Sequence, residues 1–435
     1  MESIAIIAGI VLFPLALYVL YHSTPTGIFL VLLVFVARAM ETGEDVFADN
    51  QINISPYDVV FAVLALAAVF RILTRMTVNV LELLWIILGL VVIVAFVRGM
   101  YSYGILQAGE IRPFFYFVTA VLYSITAPLD RNQMNSVAKL WMIAAVAISV
   151  IAIVNLASGR LVSDSATAGA LVSRPLHAFY ALLVFQGCLI SFLLWQVPGS
   201  ALHWRILGPM MLPVVILLQY RTVWVVAVFT VLLAVLRARR IESRIIGVGV
   251  TATMFCGIIL LTFLAGVVDQ NSSQALTEPF SGYDSSIGWR IDGWLRIMKD
   301  VIGLNLDFLI GSAAGTARTL IETNFIFAHS HNQYLDVMLR TGIAGLSILF
   351  FSYKFALRNL KITPSPERGE MLSEKGLYFL LAGQLVFYIT YTASYEQFLL
   401  LGITIGWLTH RRVGATPTDV FVRRTSAAYA QADSV

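Results

Sequence analysis

Charged side chains are scarce in this sequence. They make up 12% of the 435 residues, whereas hydrophobic residues make up 59%. In soluble globular proteins roughly a quarter of all residues are charged, so this composition excludes an ordinary soluble domain. The mean hydropathy of +0.83 agrees. We therefore predict an all-α integral membrane protein that crosses the bilayer many times.

Cysteine and strong net charge are also lacking. The two cysteines, Cys188 and Cys256, both fall within apolar runs, which excludes a disulfide framework and a cysteine metal site. The net charge of +4 is modest for this length. Basic residues beside membrane spans account for it, so no nucleic-acid partner is implied.

The apolar runs predict about 12 to 13 membrane spans. Several are shorter than the ~20 residues that a spanning helix needs, so tilted or broken helices are expected. The candidate spans are Ile4–Leu20, Gly27–Met40, Tyr57–Leu73, Val80–Val97, Phe114–Thr126, Val137–Leu156, Leu176–Trp195, Trp204–Leu218, Thr222–Leu236, Ile245–Val268, Ile343–Leu357, Gly376–Tyr391 and Phe398–Thr409. The predicted organisation is an N-terminal bundle (1–268), one long loop (269–330), C-terminal helices (331–410) and a disordered tail (411–435).

Lysine and arginine in the short loops predict the orientation of these spans. Basic clusters mark one side as cytoplasmic, at 71–75, 237–244, 354–375 and 411–424. The C-terminus is therefore expected in the cytoplasm. The opposite, periplasmic or extracellular side would contain 41–49, 98–112, 158–174 and 269–330. Strict counting of spans puts the N-terminus outside.

The stretch Ala328–Gly345 places His329, His331 and Asn332 just before an apolar run. Gly342 and Gly345 allow close backbone packing or a bend where that run begins. Asn332 can cap a helical turn by accepting a backbone N–H bond, which puts His331 at a helix N-terminus. The positive end of a helix dipole disfavours an imidazolium, which leaves a neutral ring able to accept a proton. A pair of interfacial histidines that only bond to loop carbonyls is equally consistent with these residues.

In the long loop, Ser285 or Ser286 can cap a helix from Ile287 to about Val301. On that helix Arg290 and Trp294 share a face. A guanidinium beside an indole at a lipid surface suits a forked contact to phosphate, with an aromatic wall for sugar or isoprenoid. Alternatively, the tryptophan anchors at headgroup level while the arginine snorkels.

Two further arginines and two glycines are candidates. Arg221 lies between two apolar runs, where an uncompensated charge is costly, so it should line a polar cavity or meet an anion. Arg112, before Pro113, is expected at the outer end of a span, where it would either contact substrate or snorkel to the interface. Gly311 and Gly315, in GSAAG, permit either an anion-binding nest or a purely structural turn.

Three motifs in this order resemble the O-antigen ligase and Wzy-type polysaccharide polymerase superfamily. They are QYRTVWVV at Gln219–Val226, SSIGWRIDGWLRIMKD followed by LIGSAAG, and the pattern His-Asn-x-x-Leu then Gly-x-x-Gly at His331, Asn332, Leu335, Gly342 and Gly345. The resemblance covers about Val214 to Leu360. It implies a GT-C-like membrane glycosyltransferase whose long periplasmic loop contains short helices. Family members usually have twelve spans with both ends in the cytoplasm.

The resemblance implies transfer of a glycan from an undecaprenyl-pyrophosphate-linked donor to an acceptor glycan, on the periplasmic face of the bacterial inner membrane. Arg221 and Arg290 would bind the pyrophosphate, and His331 would be the base. Asn332 would orient that histidine, and His329 is a reserve base. A chain-length co-polymerase is a candidate partner besides membrane lipids. No cofactor is implied, and the absence of an Asp-x-Asp motif predicts a metal-independent enzyme.

Three activities remain open. The closing motif TASYEQFLLLGITIGWL and the Arg112 stretch resemble exopolysaccharide polymerases, which favours a polymerase over a ligase that transfers glycan to lipid A core. A dozen spans with intramembrane cations would also suit a flippase for a lipid-linked anion. Transporters are often built from repeated halves, and the sequence has no clear internal repeat. The lack of repeated halves and the single long loop on the outer side therefore favour an enzyme over a transporter.

Overall fold

The structure is a computed structural model. It describes residues 13–40, 55–127, 129–160, 162–163, 173–197, 199–218, 220–237, 286–301, 306–316, 331–360 and 370–413. Some predicted features lie outside these residues: the span Ile245–Val268, the loop 41–49, most of the long loop including His329, and nearly all of the C-terminal tail.

The described chain is helical apart from one short antiparallel ribbon. Its first half contains α1 (Phe13–His22), α2 (Thr24–Met40), α3 (Pro56–Arg75), α4 (Val80–Tyr103), α5 (Ile105–Ala108), a 3-10 turn (Gly109–Ile111), α6 (Arg112–Ile125) and α7 (Arg131–Ala157). The ribbon pairs β1 (Val162–Ser163) with β2 (Ser173–Arg174). The second half contains α8 (Ala178–Leu194), α9 (Leu202–Leu217), α10 (Arg221–Leu236), α11 (Ser286–Val301), α12 (Leu306–Ile310), α13 (Gln333–Asn359), α14 (Glu374–Phe387) and α15 (Tyr395–Val413).

Among the described residues, four helices are long and apolar enough to cross a membrane: α3, α4, α7 and α13. The helices α1 and α2 pass the same test only together, and they are bent by 117° with respect to each other. Three shorter apolar helices, α8, α9 and α10, also match predicted spans. A multi-pass membrane protein is consistent with this helix set. The total of 12 to 13 spans stays a prediction.

The helix α15 lies at the centre of the bundle, against α6. Phe398 of α15 stacks on Phe117 of α6, with ring centroids 4.4 Å apart and planes 13° apart. A side chain at Gly402 would come within 2.8 Å of the Val121 backbone, so only glycine permits this approach. Residues of α15 such as Leu399 and Ile403 are fully buried. These contacts fix the first half of α15 inside the helix bundle.

One end of the bundle brings together the ends of several helices. Tyr395, the first residue of α15, contacts Tyr57 at the start of α3, with ring centroids 5.8 Å apart. Arg38, near the end of α2, lies over the same Tyr57 ring at 5.5 Å. This end also contains the start of α13, which was predicted to bear the catalytic histidine.

Candidate functional site

The start of α13 has the predicted cap. The Oδ1 atom of Asn332 accepts hydrogen bonds from the backbone N–H groups of Tyr334 (3.0 Å) and Leu335 (3.1 Å). The amide Nδ2 donates to the carbonyl of Ile389 at 3.0 Å. His331 directly precedes this cap, with a left-handed φ of 46°. The prediction that His331 sits at a helix N-terminus is confirmed.

The cap of α13 fastens a second segment, which we call the tyrosine turn (Tyr388–Ser394) because Tyr391 is at its centre. It connects α14 to α15. The backbone N–H of Gln333 donates to the carbonyl of Tyr388 at 2.9 Å, and the Gln333 side chain accepts from the Ala393 N–H at 2.6 Å. Backbone polar groups removed from water need such partners. The fully buried Gln333 therefore holds the turn against the helix that His331 precedes.

Arg290 and His331 meet at the ring of Tyr391. The guanidinium carbon of Arg290 is 5.4 Å from the ring centroid, and its Nη1 donates a long hydrogen bond of 3.4 Å to the Thr390 carbonyl. The imidazole of His331 lies edge-on to the same ring at 6.3 Å. The helix α11 runs from Ser286 to Val301, in agreement with the predicted bounds. Two residues from different motifs thus share one aromatic ring.

The start of α10 reaches the same turn. Tyr220 packs edge-on against Tyr391, with centroids 6.0 Å apart, and the hydroxyls of Thr222 and Thr390 are 2.8 Å apart. Arg221 lies between these two contacting residues and is exposed. Its backbone is therefore fixed beside the tyrosine turn, in the neighbourhood of Arg290 and His331.

The glycine turn (Gly311–Gly315) packs against the bend in α13. Gly342 interrupts the helix with φ 64° and ψ −168°. A side chain at Gly342 would overlap the backbone of Leu309 and Gly311, and one at Gly311 (φ 87°) would overlap the backbone of Arg340. Both φ values lie in the left-handed region that glycine tolerates best. The predicted bend or close packing at Gly342 is confirmed.

Glu110 joins the glycine turn to α13. Its carboxylate Oε1 accepts two hydrogen bonds, one from the Gly315 N–H and one from the Arg340 guanidinium. The side chains of Arg340 and Glu110 are only 5% and 15% exposed. The Gly315 amide thus binds an internal carboxylate, which supports the structural alternative for this turn over an anion nest for substrate.

Arg112 also has an internal partner. Its Nε lies 3.5 Å from Oδ1 of Asp58, which accepts a hydrogen bond of 2.6 Å from the Tyr116 hydroxyl. Asp58 is part of the capping box that begins α3. The ion pair gives Arg112 a structural role at the start of α6, and its contact with substrate stays a prediction.

Trp294 lies on the face of α11 that carries Arg290. Both residues are partly buried, while Ile291 and Leu295 on the other side of the helix are 45% and 54% exposed. The shared face that the sequence predicted is confirmed, and it lies toward α13. Its role as a wall for sugar or isoprenoid stays a prediction.

Sequence reasoning missed Tyr391, Tyr220 and the Glu110–Arg340 pair. Glu110 and Arg340 are far apart in the chain, so their pairing has no local signal. The one local signal for Arg340 is that it follows Asp336 by four residues, which is one helical turn. The structure buries both side chains, and charged residues on a buried face require partners.

Within the described ranges, no three His, Cys, Asp or Glu side chains are grouped to hold a metal ion. Metal independence stays a prediction, since His329 lies outside these ranges. A scan against protein-family models finds no match, and a search of curated proteins finds no significantly similar sequence.

Proposed function

We propose that this protein is a glycosyltransferase of the bacterial inner membrane that polymerises undecaprenyl-pyrophosphate-linked repeat units into a surface or exopolysaccharide. The observation that carries the proposal is the meeting of Arg290 and His331 at the Tyr391 ring. The start of α10, with Arg221, contacts the same turn. An anion bound by arginine would therefore lie beside a group able to accept a proton.

The proposed reaction needs little beyond these groups. The acceptor hydroxyl oxygen attacks the anomeric carbon of the donor sugar, and the bond from that carbon to the pyrophosphate oxygen breaks. His331 takes the proton of the acceptor hydroxyl as a general base. Arg290 and Arg221 stabilise the negative charge that develops on the departing lipid diphosphate. Attack from the face opposite the leaving group inverts the anomeric centre.

Asn332 supports the base rather than reacting. Its two hydrogen bonds cap α13, and its third fixes the Ile389 carbonyl next to Thr390. The histidine and the tyrosine turn are therefore held by one side chain. Precise placement of a base and a bound anion is itself a large part of catalysis, because it replaces a bimolecular encounter. The tyrosine turn would lie at the periplasmic face, with the C-terminus in the cytoplasm.

The test is turnover by purified protein with synthetic undecaprenyl-pyrophosphate repeat units as the only substrate and a chelator present. We expect a ladder of longer lipid-linked glycans, and a loss of about 10²- to 10⁴-fold in His331→Ala. The matched control is His203→Ala, because His203 is an exposed histidine at the start of α9. The control should retain the ladder.

Other products would identify other activities. Transfer only after lipid A core is added would identify a ligase. Label that crosses a vesicle bilayer without chain growth would identify a flippase, and the transferase proposal would then be abandoned.

A further inference from the structure

Arg174 lies beside the candidate site, although none of the sequence motifs contains it. It ends β2, two residues before Leu176. Its guanidinium carbon is 4.4 Å from the centroid of the Tyr220 ring. Tyr220 is itself only 2% exposed, and its hydroxyl donates to the Leu176 carbonyl. The ring under Arg174 is thus fixed.

Arg174 and Arg290 occupy two adjoining rings. Arg174 lies over Tyr220, Tyr220 meets Tyr391 edge to face at 6.0 Å, and Arg290 lies over Tyr391. Phe387 supports this pair of rings by stacking on Tyr391 at 5.3 Å. We call the two tyrosines the ring pair. Each ring of the pair therefore carries one guanidinium.

Stacking on a ring uses the face of a guanidinium, and its N–H donors lie at the edge. A stacked arginine can therefore bind an oxyanion with its forked donors while the ring fixes its orientation. Arg174 is partly buried, so water screens its charge less than at an open surface. Both properties favour a phosphate ligand over a solvated counterion.

We infer that Arg174 binds the second, lipid-proximal phosphate of a prenyl diphosphate, while Arg290 binds the sugar-proximal phosphate beside His331. The inference rests on the proposed function for its ligand class. The order follows from the ring pair, because His331 contacts Tyr391 and Arg174 is one ring farther away. Arg174 would then distinguish a sugar joined to its lipid through a diphosphate from one joined through a single phosphate.

Binding of two probes to the full-length protein in lipid nanodiscs tests this inference without requiring turnover. The probes are glucose joined to farnesol through a diphosphate and glucose joined to farnesol through a single phosphate, with binding measured by isothermal titration calorimetry. In the second probe the only phosphate is bonded to the sugar, so it would take the position beside Arg290 and leave Arg174 without a ligand. The wild type should prefer the diphosphate. Arg174→Gln should weaken diphosphate binding by about tenfold or more, as expected for charge-assisted hydrogen bonds. Its monophosphate affinity should change by less than about twofold, so the preference is lost.

The matched control is Arg160→Gln, because Arg160 is an exposed arginine just after α7. It should keep the wild-type preference. Arg174→Lys keeps the charge but not the fork, and it should give an intermediate preference even if Arg174→Gln does not fold. An unchanged preference in the Arg174 variants, or no preference in the wild type, would overturn the inference.

These outcomes separate the inference from the proposed function. If the protein forms a glycan ladder and the Arg174 variants keep the diphosphate preference, the role of Arg174 is refuted and the proposed function stands. A preference that depends on Arg174, in a protein that forms no ladder, would leave a diphosphate site whose reaction is different.

Discussion

Removing one partner of the buried Glu110–Arg340 pair should strongly destabilise the protein, because the other charge is then left buried without its partner. Glu110→Ala leaves the Arg340 guanidinium, 5% exposed, without its carboxylate. It also removes the acceptor of the Gly315 N–H. Removing one partner of a buried ion pair costs about 3–5 kcal/mol. Asp336, 3.9 Å from Arg340, compensates part of that charge, so we expect a loss of about 3 kcal/mol.

Glu110→Gln separates charge from hydrogen bonding. The glutamine oxygen can still accept from Gly315, so only the ionic part of the contact is lost. We expect about half of the alanine effect, because hydrogen bonds to charged groups are worth about 1.5–3 kcal/mol and neutral ones about 1. The free energy of unfolding would be measured by urea titration in detergent micelles, with tryptophan fluorescence as the signal.

The control ion pair joins α12, directly before the glycine turn, to α4. Asp307 pairs with Arg98, but these side chains are 35% and 30% exposed. Pairs with this exposure contribute about 0–1 kcal/mol, so Asp307→Asn should have a small effect. Equal losses for Glu110→Ala and Asp307→Asn would refute the reasoning, since burial would then not determine the energy of these pairs.

Three further predictions use the same titration or the glycan ladder. Gly342→Ala should cost at least about 2 kcal/mol, because its φ is left-handed and a side chain would overlap backbone, whereas Gly109→Ala meets no atom within 4 Å and should be nearly neutral. Asn332→Ala should cost about 1–2 kcal/mol by losing the cap and the bond to Ile389, and Asn332→Ser should regain the cap's share. Tyr391→Phe should retain turnover, while Tyr391→Ala should lower it strongly; similar rates in both would exclude a role for the ring.

Local features of the site could be predicted from the sequence. The cap at Asn332, the bend at Gly342 and the helix bearing Arg290 all depend on residues within one or two turns of each other. The apolar run Ile343–Leu357 predicted the helix that follows the bend at Gly342, while α13 as a whole begins earlier, at Gln333. A capped polar turn can continue into an apolar helix when its charged residues find buried partners, as Arg340 does.

The contacts that gather the site could not be predicted in the same way. Tyr391 meets Arg290, His331 and Tyr220, which come from three segments far apart in the chain. Such pairings depend on how helices pack, and a single sequence carries little information about packing partners. Aromatic residues in an apolar segment are also too common to single out one of them.

The glycine turn and the tyrosine turn anchor the two ends of the stretch between residues 316 and 331. Glu110 accepts a hydrogen bond from the Gly315 N–H, and Asn332, which follows His331, donates one to the tyrosine turn. The chain between residues 316 and 331 therefore starts and finishes at anchored points. Lengthening a closed loop is inexpensive, at about 0.6 kcal/mol for each doubling. Insertions in this stretch should therefore be tolerated while Gly315 and Asn332 keep their positions, and with them the contacts of Arg290 and His331 with Tyr391.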